Sequence, residues 1–268
     1  MLDAGYETVA INFHMSLNGV DLKELAPKVR EQVDGRAAVG ALGYYCNALQ
    51  YEDHKETLKH CIDMAPLFGT NVVSTFAGAL EGESVDAAMP KFKEVFTELA
   101  KYAEDKGVKL AIENCPMDGT WNHATCNIGF NPRAWEMMFS EVNSDSLGLE
   151  WEPAHQMGQL IDPIVNLRAW AKKVFHLHGK DATIDWDMVR RSGVIGQEPF
   201  AYMRMPGFGD TNWRDVFFIL HQNGFEGDVC VEGYHDPIYS GDWEMTAQLH
   251  SLNYLKWARG GDFVANPW

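Results

Sequence analysis

The chain has 268 residues, 46% of them hydrophobic, with a formal charge of −16 at pH 7 and a pI of about 4.9. So acidic a surface repels phosphate backbones and anionic membranes, which argues against nucleic acid and membranes as partners. The length suits one α/β domain over 1–268 with a large core.

Seven apolar runs read as strands, in chain order Thr8–Phe13, Ala37–Gly43, Asn71–Phe76, Val108–Glu113, Leu147–Glu152, Val174–His178 and Asp228–Glu232. Stretches of helical period lie between them, the clearest being Asp53–Phe68, Val85–Lys106, Pro132–Val142, Pro163–Lys172, Trp213–Asn223 and Met245–Ala258. Gly69, Gly107 and Gly224 stand where helix C-caps belong. Strands alternating with helices predict a parallel sheet with all its C-terminal ends on one side. Two long irregular stretches follow ligand-bearing strands: Cys115–Asn131, and Lys180–Thr211 with a short helix at Asp187–Ser192. The start, MLDAGYETVAINF, has no basic segment followed by an apolar one, and no window approaches 18 apolar residues, so neither a secretion signal nor a membrane span is expected. Five cysteines, at 46, 61, 115, 126 and 230, form no CxxC pair and are odd in number, the pattern of reduced thiols in a cytoplasmic protein.

Glu113, Glu152, His178 and Glu232 each end one of these strands. Side chains alternate along a strand, so Glu113 shares a face with Ala111, Glu152 with Glu150, His178 with His176 and Glu232 with Cys230. Any one of the four could be the first solvated residue of a loop. Three carboxylates and an imidazole on one face suit a divalent cation with oxygen and nitrogen ligands. Glu150 and His176, one pleat deeper, are expected to form a buried hydrogen-bonded pair, because an isolated charge there would be costly. His14 and Asn12 extend the face of the first strand, Asn47 follows the second, and His14 is a candidate for pocket lining. Four further histidines, at 54, 60, 221 and 250, lie on predicted helices and read as packing or surface residues.

The segments IENCPM at 112–117, EWEPAHQMGQLIDP at 150–163, HLHGKDA at 176–182, RMPGFGDTNW at 204–213 and GFEGDVCVEGYHDP at 224–237 resemble the sugar phosphate isomerase/epimerase family of xylose-isomerase-like TIM barrels. The resemblance implies a (β/α)8 barrel whose first strand and most of whose first helix are not read in this chain. It implies one divalent metal ion, Mn, Mg, Co or Zn, on Glu113, Glu152, His178 and Glu232. Glu152 stands where the family usually has an aspartate, and the extra methylene displaces the carboxylate by roughly 1.5 Å. Glu113 and Glu232 are implied to be catalytic, one taking a proton from carbon next to a carbonyl and the other returning it. His155 corresponds to a histidine that contacts a substrate oxygen or orients a ligand. Arg204 either reaches the substrate or pins its loop through a salt bridge. Lys180 and Asp181 either touch the substrate or pair with each other.

The implied function is a sugar isomerase or epimerase. A lyase cleaving a 3-keto-glycoside or C-glycoside through the same enediolate is the alternative, and a non-catalytic sugar-binding barrel is a third. A DNA-repair endonuclease shares the fold, but would need a basic footprint and further ligands. Seven strands leave sheet edges to cover. Either the true start lies upstream, or the gap is filled in a homo-oligomer, by a small partner subunit or by the chain's tail at 260–268.

Overall fold

The computed structural model describes residues 2–233, 235–261 and 264–267, whose contacts divide into two compact units interleaved along the chain. The first unit comprises Met1–Trp151, Lys173–Leu177 and Gly227–Cys230. Its framework is the parallel sheet of β1 (Thr8–His14), β2 (Ala38–Tyr45), β3 (Val72–Thr75), β4 (Lys109–Glu113), β5 (Leu147–Trp151), β6 (Val174–Gly179) and β9 (Val229–Val231). The hydrogen-bonded order is β1-β2-β3-β4-β5-β6-β9, so among the described residues the sheet has the seven strands read from the sequence, with β1 and β9 as its edges.

Small residues on the sheet make room for one large one. Ala10, Ala41, Val72, Ala111 and Phe175 form one apolar cluster, and a Cβ on Gly148 would collide with the Phe175 ring and the Lys173 carbonyl. The outer layer comprises α1 (Leu22–Val33), α2 (Glu52–Phe68), α3 (Val85–Asp105) and α4 (Pro132–Glu141). In α2 the buried face runs Leu58, Cys61, Ile62, Ala65 and Phe68, and the helix stops at Gly69, which takes φ 86° and donates its N–H to the Pro66 carbonyl. The Ser84 hydroxyl caps α3 by accepting from the Ala87 N–H. Helix α1 is absent from the sequence reading, and its weak pattern explains why: only Leu22, Ala26 and Val33 are buried.

The second unit comprises Glu152–Lys172, His178–Glu226 and Val231–Trp268. It holds α5 (Ala154–Met157), α6 (Pro163–Trp170), β7 (Asp181–Ile184), α7 (Trp186–Ser192), β8 (Ala201–Arg204), α8 (Trp213–Gln222) and α9 (Glu244–Arg259). The stretch expected to be irregular between Lys180 and Thr211 is an antiparallel pair instead, β7 against β8, with Asp181 opposite Arg204 and Ile184 opposite Ala201. Ala154 and Met157 of α5 pack on Ala182 and Ile184 of that pair.

Where the tail can be followed it is not packed against the chain. Val264 is 84% exposed and residues 265–267 are exposed too, while Asp262, Phe263 and Trp268 lie outside the described residues. No helix among the described residues is long and apolar enough to cross a membrane.

Candidate metal and acid–base site

The polypeptide enters the second unit three times from a strand, and each entry brings a ligand candidate: Glu152 after Trp151, His178 within the last residues of β6, and Glu232 one residue past the entry at Val231. Glu152, His178 and Glu232 each offer a ligand atom, all within 4.8 Å of one another. Glu152 is fully buried, and its Oε1 accepts the His155 N–H at 3.2 Å while His155 Nε2 stands 3.0 Å from the same oxygen. Glycine follows Glu232 because a Cβ on Gly233 would run into Glu244 and Gln248, so α9 can press against the backbone beside the site.

Lys180 is the organising cation. Its Nζ donates to Glu232 Oε1 at 2.9 Å, lies 3.9 Å from Glu152 Oε2 and is 3.4 Å from His155 Nε2. Of the two sequence alternatives for Lys180, substrate contact or a pair with Asp181, the contacts seen here are with Glu232, Glu152 and His155. The Glu232 carboxyl would be pushed up by burial, but the neighbouring His178 and Lys180 outweigh this and hold it well below the usual carboxylate range. His235, whose Nε2 is 3.7 Å from Glu232 Oε1, has its pKa lowered by burial and by the Lys180 charge.

The second oxygen of Glu232 behaves differently. Oε2 is enclosed and has no hydrogen-bond partner, although His178 Nδ1 is only 3.2 Å away. This oxygen and the imidazole nitrogen belong to the same cluster of potential ligand atoms. Two carboxylates and an imidazole meet the preferences of Mg, Mn, Co or Zn, so these residues fit a divalent ion.

Asp181 is held as an internal anchor. It is fully buried, with Oδ1 accepting from the Thr211 hydroxyl at 2.6 Å and from the N–H groups of Ala182 and Thr211, and Oδ2 from the Trp213 indole at 3.0 Å. Burial raises its pKa to about 6. The second glycine of Pro206-Gly-Phe-Gly209 is explained by this anchor, since a Cβ on Gly209 would strike the Asp181 carboxylate. Arg204 adopts the salt-bridge alternative: its Nε donates to Asp236 Oδ2 at 2.9 Å, and Asp236 also accepts from the N–H groups of Ile238 and Tyr239. Phe208 stacks on Tyr239 at 4.1 Å between ring centres.

Within the first unit, Glu113 closes β4 with its side chain buried. The loop beyond is tied to that strand end by Asn127, which donates to the carbonyls of Glu113 at 2.9 Å and Cys115 at 2.7 Å. The expected pair is present: Glu150 Oε1 is 2.6 Å from His176 Nδ1. The sequence did not reveal its partners, the Ser74 hydroxyl at 2.6 Å, the Tyr45 hydroxyl at 2.8 Å and the Cys230 thiol at 3.3 Å from His176 Nε2. Burial alone would lower the His176 pKa, but Cys230 and Glu150 raise it to about 10. His14 is exposed and stacks on Tyr45 at 4.9 Å. Asn47 is structural, its Oδ1 accepting from the N–H groups of Ala79 and Gln50.

A family profile described as xylose isomerase-like TIM barrel matches residues 1–256. The chain is 24% identical over 249 residues to an inosose dehydratase of Clostridium beijerinckii, a match covering 85% of this chain and 79% of the relative. Among solved structures, a xylose isomerase domain protein from Planctomyces limnophilus has a TM-score of 0.73 at 18% identity, covering 97% of this chain and 91% of that one. The IolI protein with a bound zinc atom has a TM-score of 0.66 at 22% identity, covering 96% and 88%. At these identities the structural likeness shows the fold.

Proposed function

The chain belongs to the xylose isomerase-like TIM barrel family, and from that membership we propose that it is a divalent-metal-dependent enzyme that moves a proton on the carbon beside a carbonyl of a sugar or sugar derivative, as an isomerase or epimerase. The observation that carries this reading is the cluster of Glu152, His178 and Glu232 around a buried, hydrogen-bond-free carboxylate oxygen.

Glu152, His178 and Glu232, with Glu113 as the fourth ligand inferred from the family, would hold the ion. When bound, it polarises carbonyl and hydroxyl oxygens of the substrate and so acidifies the neighbouring C–H bond. Glu232 and Glu113 are the proton carriers of this reading. Lys180 holds one Glu232 oxygen and so orients the other. His155, positioned by Glu152, contacts a substrate oxygen, and His14 lines the substrate pocket. On this reading the protein is a cytoplasmic homo-oligomer acting on a small carbohydrate, and the two units work as one domain.

A second reading, a lyase, is favoured by the inosose dehydratase relative. The same proton abstraction next to a carbonyl, followed by loss of a β-hydroxyl as water or of a glycosidic substituent, needs only that a leaving group lie beside the carbanion. Incubation of the metal-loaded protein with keto-sugars and keto-inositols in deuterated water separates the outcomes. Deuterium at the α-carbon of a product of otherwise unchanged formula supports the first reading. Loss of water or release of an aglycone with no epimer promotes the second. No exchange with any hydroxyketone leaves the sugar-binding barrel.

A further inference from the structure

The least expected group in the ligand cluster is an ammonium. The Lys180 side chain is only 5% exposed, and burying a lysine charge is costly unless it is paired. Its neighbours are Glu232 Oε1 at 2.9 Å, Glu152 Oε2 at 3.9 Å and His155 Nε2 at 3.4 Å. Two of these three residues are the carboxylates assigned above to the metal. We propose that Lys180 is a tethered counter-cation of the metal site: it neutralises Glu152 and Glu232 when the ion is absent and competes with the ion when it binds.

The geometry divides the labour on Glu232. Lys180 engages Oε1, while Oε2, enclosed and without a hydrogen bond, faces His178 Nδ1 at 3.2 Å. An ion held by Glu152, His178 and Glu232 would share its carboxylates with the Lys180 ammonium, and like charges so placed in a protein interior repel by more than thermal energy. Loading therefore weakens the hold of Lys180 on the carboxylates and turns its ammonium toward His155 and any oxygen bound there. Metal-free protein gains stability from the lysine, and the metal-loaded site has weaker affinity because of it. The residue is thus a positioning and affinity-setting group, acting through Glu152 and Glu232.

This inference rests on the metal-enzyme reading, and the test separates the two. Manganese binding is measured by titration calorimetry for wild type, Lys180→Met and Lys180→Gln, with thermal unfolding of metal-free and loaded samples. The expected result is roughly tenfold or more tighter binding in both variants, with a lower metal-free Tm and a larger rise on loading than in wild type. Turnover should fall, since Glu232 Oε1 loses its partner. Unchanged or weaker manganese affinity in a folded variant overturns the counter-cation role while leaving the metal site intact. Wild type that binds no divalent ion overturns both. Should neither variant fold, acylation of Lys180 in wild type is read by mass spectrometry: faster labelling in the loaded protein supports the role, and equal or slower labelling refutes it.

Discussion

At the scale of single residues the proposed chemistry turns on the two oxygens of Glu232. Oε1 is held by Lys180 and Oε2 is hydrogen-bond-free. Glu232→Gln keeps the shape but removes the base, so solvent exchange at the substrate carbon should disappear and kcat fall by about 10²–10⁴ with little change in KM. Exchange at the wild-type rate would reduce Glu232 to a ligand. The Glu150–His176 pair makes a separate prediction. The His176 pKa in the folded protein is raised to about 10. A raised folded pKa gives stability that is fully present below the unfolded value of about 6.5 and lost as pH climbs to about 10. Tm should therefore decline across that interval, and the decline should flatten in a His176→Gln protein. Glu150→Ala, which strands a buried imidazolium, should cost about 3–5 kcal/mol in denaturant unfolding. A loss under 1 kcal/mol would mean the pair is not charged.

Among the elements, the β7–β8 pair carries Lys180 at its root and depends on Asp181. Four hydrogen bonds converge on that carboxylate from Ala182, Thr211 and Trp213. Asp181→Ala should cost roughly 2–4 kcal/mol through the donors it leaves buried and unpaired, and Gly209→Ala should destabilise through collision with Asp181. Urea unfolding of both variants checks this, and wild-type midpoints would refute the anchor. This pair was the least legible part of the chain. Each strand has four residues, and β8 is only half-buried, so no sustained alternation marks it. Helix α1 was hidden for a related reason, having three buried residues in 12. The parallel strands were readable because β2 through β5 are almost continuously buried and appear as apolar runs. The candidate site residues stand at the ends of those runs, which is why they could be placed from sequence. Partners brought in from distant sequence, such as Tyr45 and Ser74 on Glu150, or Lys180 on Glu232, carry no local signal.

On the scale of the whole molecule, the parallel sheet ends at β1 and β9 among the described residues. Unpaired strand edges are templates for association unless covered. The proposed homo-oligomer follows from this, and light scattering after size exclusion should give at least twice the mass of 30.2 kDa. A stable monomer would show that the edges are covered within the chain.

Metal analysis decides whether Glu152, His178 and Glu232 hold a divalent ion. Purified protein is stripped, incubated with manganese, dialysed and assayed by mass spectrometry beside His178→Ala. About one ion per wild-type chain is expected, with a large loss in the variant and both proteins folded by circular dichroism. Wild type without metal, or His178→Ala with a full complement, would contradict it.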